Sequence, residues 1–253
     1  MTETLTPNPP SIGLTMRSLL RADTAVLFRS RQALVLNLLL PLIILFVTNR
    51  GGKLGNPGFL IGMAITYGLL SSALVGYSVT VARDREAGVF QRIRVTPTPT
   101  WAIMASRLTV QLATNLVVSV IVMIVGSIMH GTSFTAGQYV LMLVVSLLGA
   151  AVFLSIGQAI VGVIKSVTAI NAIGRVLFIA LVLTGILGST GILGDDFKNF
   201  AAWTPVGALI NLFSAVLGIA QWGSDATSGL IASFGYIVVF AWVGIRWFRW
   251  EPQ

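Results

Sequence analysis

Five or six long apolar stretches recur along this chain, and a short basic insert running from Asp84 to Pro97 separates the second from the third. A helix of about 20 apolar residues spans the roughly 30 Å hydrocarbon core of a bilayer. In lipid every backbone N–H and C=O must find its partner inside the segment, which helices achieve and open strands do not. The pattern therefore predicts an all-α membrane protein. Composition leads the same way: 55% hydrophobic residues, 9% charged residues and a mean hydropathy of +0.90 leave too little polar surface to solvate a globule. A net charge of +8 raises the question of nucleic acid, but the basic residues cluster at the ends of apolar runs and form no solvated stripe. With no cysteine, disulfides, cysteine-ligated metals and thiol catalysis are excluded.

Residues 1–10 are polar and Pro-rich, read as a disordered tail without the layout of a secretory signal. From 11 to 32 the pattern becomes helical, with Met16, Leu19, Leu20 and Leu27 on one face and Arg17 and Arg21 beside them, as in a helix lying in the membrane interface. Asp23 interrupts that apolar face. Spans are expected over about 33–48, 59–81, 104–129, 139–164, 170–190 and 230–247, all within one transmembrane domain over 11–253. Val206 to Ala220 is too short to cross and opens with Thr204-Pro205, an N-cap followed by proline at the first helical position. It is expected to be a short re-entrant or interfacial helix on the outer face. Gly185, Gly188, Gly191 and Gly194, followed by Asp195-Asp196, read as a loosening helix end and an exterior loop. Of the 16 Lys and Arg residues only Arg50, Lys53 and Lys198 fall on one side of this layout, so the other side, with both termini, is expected to be cytoplasmic.

An ion-driven transporter commonly carries acids or histidine within its spans, because an ionisable group in hydrocarbon is costly. Here all eight acids, Glu3, Asp23, Asp84, Glu86, Asp195, Asp196, Asp225 and Glu251, lie outside the predicted apolar cores. His130 ends the third span as an interfacial residue. Paired acids or clustered ligands for an intramembrane protease or metal enzyme are missing. A phosphate-cradling loop needs spaced glycines followed by Lys and Ser or Thr, and Gly51-Gly52-Lys53-Leu54 has neither the spacing nor the hydroxyl. Energy for transport must then come from a separate subunit.

In the insert, covered by the segment 83–100, charges alternate within about one helical turn, Gly88 interrupts them, and Thr96-Pro97-Thr98-Pro99 stops the helix before Trp101. A short rigid lever of this kind can carry force between a soluble subunit and the spans at its ends. An ordinary positive-inside loop would share its arginines but not the order of the other residues. Arg85-Glu86-Ala87-Gly88, then Arg92, then Thr96-Pro97, with Arg107 opening the next span, resembles the signature loop of ABC-2 type transporter permeases. Six spans, the interfacial helix, the proline before a short exterior helix and the ending Arg246-Trp247-Phe248-Arg249-Trp250 extend the resemblance over nearly the whole chain. Val89 stands where a small hydroxyl residue often follows the glycine, and Arg107 where lysine is commoner.

The resemblance implies a cytoplasmic coupling helix between spans two and three that docks on an ATP-binding subunit. Asp84, Arg85, Glu86, Gly88, Arg92 and Pro97 would form that contact, with Glu86 and Arg92 as polar docking groups, Gly88 for close backbone approach and Pro97 fixing the lever's end. It also implies that no catalysis occurs in this chain, that ATP and Mg2+ bind the partner, and that a second permease copy or a related chain encloses the pathway in a bacterial inner membrane. The second and fifth spans are expected to face the dimer axis, making Tyr67, Ser71, Ser78, Asn171, Arg175 and Thr184 candidates for the pathway, although polar residues in spans also serve to hold helices together. Gln111, Asn115, Ser155 and Gln158 invite the same two readings. A mostly apolar pathway favours export of an amphipathic or lipidic compound or drug. A non-transporting scaffold that recruits a soluble partner and a secondary transporter are the alternatives.

Overall fold

The computed structural model describes residues 11–29, 31–50, 55–89 and 100–247. Helix α1 (Ile12–Arg29) precedes α2 (Arg31–Arg50). The long α3 (Pro57–Glu86) contains a π-helical stretch at Leu70–Gly76. Then follow α4 (Thr100–Met129), α5 (Ala136–Val163), α6 (Val167–Thr190), α7 (Asp195–Trp203), α8 (Pro205–Val216) and α9 (Ser224–Trp247). No strand occurs among the described residues. Among the described residues five helices, α3, α4, α5, α6 and α9, are long and apolar enough to cross a bilayer, or six if the bent pair α7 and α8 is one span. Helix α2 has 20 residues, about 30 Å at 1.5 Å per residue, with its apolar part at Asn37–Arg50.

Several helices run past the apolar windows that predict them, because caps extend a helix beyond the hydrocarbon-facing part. Asn56 accepts the Gly58 N–H at 2.9 Å and starts α3 at Pro57. Thr135 and Gln138 form a capping box that starts α5, and the Ser166 hydroxyl oxygen accepts from Ala169 to start α6. At the other end α3 continues to Glu86, so the helix includes the first charged residues of the insert.

Between helices in lipid there is little hydrophobic drive, and close van der Waals packing with hydrogen bonds takes its place. Helix α5 is the hub, packing on α3, α4, α8 and α9. Small residues bring the backbones together. A Cβ at Gly157 of α5 would stand 3.2 Å from the carbonyl oxygens of Ala73 and Leu74 in the π-helical stretch, and one at Gly244 of α9 would stand 2.7 Å from Gln158. Pro41, buried inside α2, packs its ring on Gly68 of α3.

The chain beyond α6 departs from the expected loop. Gly185 and Gly188 lie within a helix that ends only at Thr190, since both are buried where α6 meets Val206, the Tyr67 hydroxyl and Ala201. Gly191 closes α6 in the left-handed region at φ 66°, which a residue without Cβ adopts without strain. Residues 195–203 are helical, and Asp195 and Asp196 in the first turn suit the positive end of α7. Helices α7 and α8 meet at 92°, where Thr204 caps α8 through the Gly207 N–H and Pro205 opens it. Helix α7 exposes Phe200 and Trp203, whereas Leu209, Leu212 and Phe213 of α8 are buried. The short apolar helix thus turns back into the bundle.

Candidate functional site

The last turn of α3 ties itself to three neighbouring helices with three consecutive side chains. Asp84 accepts an ion-paired hydrogen bond at 2.6 Å from Arg107 of α4. Arg85 is only 4% exposed, and its guanidinium donates to the carbonyls of Val161, Ile164 and Lys165 at 2.8–2.9 Å. Those oxygens lie where α5 ends, where helical carbonyls lack intrahelical partners and a cation is favoured. Glu86, exposed, accepts at 3.4 Å from the N–H of Val167, the first residue of α6. The short α5–α6 connection is therefore gripped by an arginine on its carbonyl side and a carboxylate on its N–H side.

Helix α3 ends at Glu86, and Gly88 in the turn that follows has a left-handed φ of 67° and donates its N–H to the Arg85 carbonyl. Glycine at this position serves the turn itself. Arg92 and Pro97 lie outside the described residues.

Helix α1 joins the same corner. Asp23 accepts from the Ser106 hydroxyl at 2.5 Å, so the adjacent α4 residues Ser106 and Arg107 hold α1 and α3 respectively. Burial pushes the Asp23 carboxyl above its ordinary pKa, the Ser106 hydrogen bond and nearby Arg107 oppose this, and the Asp84 charge adds to it. The misplaced acid on an apolar face was the sequence signal for this tie. Nothing in the sequence points to the three carbonyls that Arg85 meets, because backbone acceptors leave no residue signature.

Deeper in the bundle, the π-helical stretch widens the middle of α3 and collects polar groups. Ser72 donates to Asn115 at 2.7 Å and accepts from Gln111 at 3.2 Å, joining α3 to one face of α4. Tyr77 donates to Gln158 of α5 at 2.6 Å. Among the sequence-predicted pathway residues, Tyr67 and Ser78 are buried and donate to the carbonyls of Val182 and Leu74, and the partly buried Thr184 donates to that of Ala180. Ser155 likewise donates to Val152. Of these bonds only that of Tyr67 joins two helices, α3 and α6; the hydroxyls of Ser78, Thr184 and Ser155 bond back within their own helices. Ser71 and Arg175 are brought together across a groove of about 230 Å³ between α3 and α6, also lined by Val75, Phe178 and Ile179, with Asn171 partly buried one turn before Arg175.

A bundle of apolar helices with a charged clamp at the C-terminal end of α3 defines a multi-pass membrane protein. The ABC-2 type transporter pattern matches residues 14–217, which takes in the clamp, the π-helical stretch and the α7–α8 pair, and the chain belongs to this family. No curated protein matches the chain. Membership makes it the transmembrane permease subunit of an ABC transporter, a class of subunit that works with an ATP-binding partner.

Proposed function

We propose that this permease exports an amphipathic or lipidic compound, driven by ATP that a separate subunit hydrolyses with Mg2+. Two copies, or this chain and a related one, enclose the pathway in a bacterial inner membrane with both termini in the cytoplasm. The insert after α3 is the docking element. Glu86, Gly88, Arg92 and Pro97 meet the ATP-binding subunit, while Asp84 and Arg85 hold the insert's base to the bundle.

The observation that carries this reading is that one turn of α3 grips α4, α5 and α6 at once. A push delivered at the end of α3 then reaches three spans at once, and alternate states of the bundle can be stabilised differently as nucleotide binds and leaves. Glu86 is suited to exchange partners, since it is exposed and its bond to Val167 is long at 3.4 Å.

Because the chain has no native cysteine, a single one at Glu86 reports docking directly. Gly88 is a poorer site, as a side chain there is strained at φ 67°. Co-expression with the ATP-binding subunit should give crosslinks at Glu86→Cys that change with ATP, and none at Asp196→Cys. Absence of crosslinks in a correctly inserted, assembled complex would reject the docking role. ATP-sensitive crosslinks without nucleotide-dependent cargo movement would instead indicate a scaffold. Glu86→Arg combined with Arg92→Glu should alter association and transport, and unchanged values would remove those two residues from the contact.

A further inference from the structure

Arg175 lies eight residues into α6, about 12 Å along the helix from Val167, in a span of mean hydropathy 2.1. An arginine at such depth is costly unless it has a partner or reaches water. Among the described residues it has neither an ion pair nor a hydrogen-bond partner. Its neighbours on the exposed face are Val176 and Ile179, 67% and 57% exposed, so the guanidinium sits on an apolar surface. Beside it opens the groove against α3, where Ser71 adds one hydroxyl and Val75, Phe178 and Ile179 supply apolar walls.

A cation and a hydroxyl at the mouth of an apolar groove match a molecule with an anionic head and a hydrocarbon tail. Planar guanidinium favours oxyanions such as phosphate or carboxylate, which it can hold through two parallel N–H bonds. At about 230 Å³ the groove takes a head group and the start of a chain, and the exposed stripe of Ile179, Leu183 and Ile186 continues along α6 for the rest. We infer that the Arg175 groove is a binding subsite for the anionic head of an amphiphile and makes the permease selective for anionic cargo. This rests on the exporter reading for its use in transport, though not for the binding itself.

The test uses the purified chain in phosphatidylcholine nanodiscs and two photoreactive probes with the same twelve-carbon tail, one an alkyl phosphate and one an alkyl trimethylammonium. The phosphate probe should label groove residues about tenfold or more above the ammonium probe, the contribution of one hydrogen bond to a charged group. Arg175→Gln should abolish the preference and Arg175→Lys should retain much of it. Ile179→Trp, which fills the groove and leaves the charge, should reduce labelling by both probes. Equal labelling by the two probes, a preference that survives Arg175→Gln, or full labelling in Ile179→Trp would each overturn the proposal. So would absence of labelling because a second copy covers the groove. Adding phosphatidylglycerol separates the sources of the anion: displacement of the probe assigns the subsite to a lipid head group, and persistence assigns it to a free amphiphile. Labelling needs neither ATP nor the ATPase subunit. Anion-selective labelling with no ATP-driven movement therefore refutes the exporter reading and leaves the subsite standing.

Discussion

Arg107 of α4 and Asp84 of α3 meet at 2.6 Å, and the residue before Arg107, Ser106, holds Asp23 of α1. One turn of α4 thus anchors both the helix that lies outside the bundle and the helix that carries the insert. The pair is partly shielded, with side-chain exposures of 14% and 30%. It is placed to hold the C-terminal end of α3 in register with α4.

Replacing Asp84 or Arg107 by Ala should weaken the bundle, and the double variant should cost less than the sum. The interaction in that cycle is expected at about 1 kcal/mol, the upper end for accessible pairs because water reaches this one incompletely. Chemical unfolding in maltoside micelles measures it. The charge-swapped double variant should regain ATP-dependent crosslinking at Glu86→Cys if attachment alone matters.

Arg85→Ala removes three donors from the carbonyls that end α5 and is expected to destabilise by about 3 kcal/mol, as for a buried charge-assisted network. Arg85→Lys should recover only part, because a point charge on a flexible stem cannot reproduce the guanidinium fork. Thermal melting of the three proteins orders them wild type, Lys, Ala.

Asp23 makes stability depend on acidity. Burial raises its carboxyl, so over a window starting near pH 4 the folded chain holds a proton that the unfolded chain has released. Stability from this site is complete below that window and is lost as pH rises through the folded value, with a slope no steeper than about 1.4 kcal/mol per pH unit for one proton. Asp23→Asn, which keeps an acceptor for Ser106, should flatten the profile measured by unfolding between pH 4 and 7.

At Gly157 a methyl group would meet the Ser78 hydroxyl at 2.8 Å and two backbone oxygens of the π-helical stretch at 3.2 Å. Gly157→Ala is expected to cost about 1–3 kcal/mol through overpacking. Gly235→Ala on α9, where nothing lies within 4 Å, should leave the melting temperature unchanged or slightly higher. Equal effects at the two sites would show that packing of α3 on α5 is looser than the distances imply.

Much of this protein is legible in its residue order. Long apolar windows determine the spanning helices, because a hydrocarbon core about 30 Å thick demands a fixed length of helix. Thr204-Pro205 marks the start of α8, and the charge pattern from Arg83 to Arg94 marks the insert, since capping and interfacial charge are local properties. Only the tertiary structure decides what those residues touch. Gly185 and Gly188 read as breakers in one dimension, yet pack Tyr67, Val206 and Ala201 in three. Arg85 reads as one surface arginine among several, yet it is buried against carbonyls some 80 positions away. Asp23 reads as a flaw in an amphipathic helix until Ser106 is placed beside it. In each case the partner is a backbone group or a distant side chain, and such contacts arise from helix packing that no local window of sequence contains.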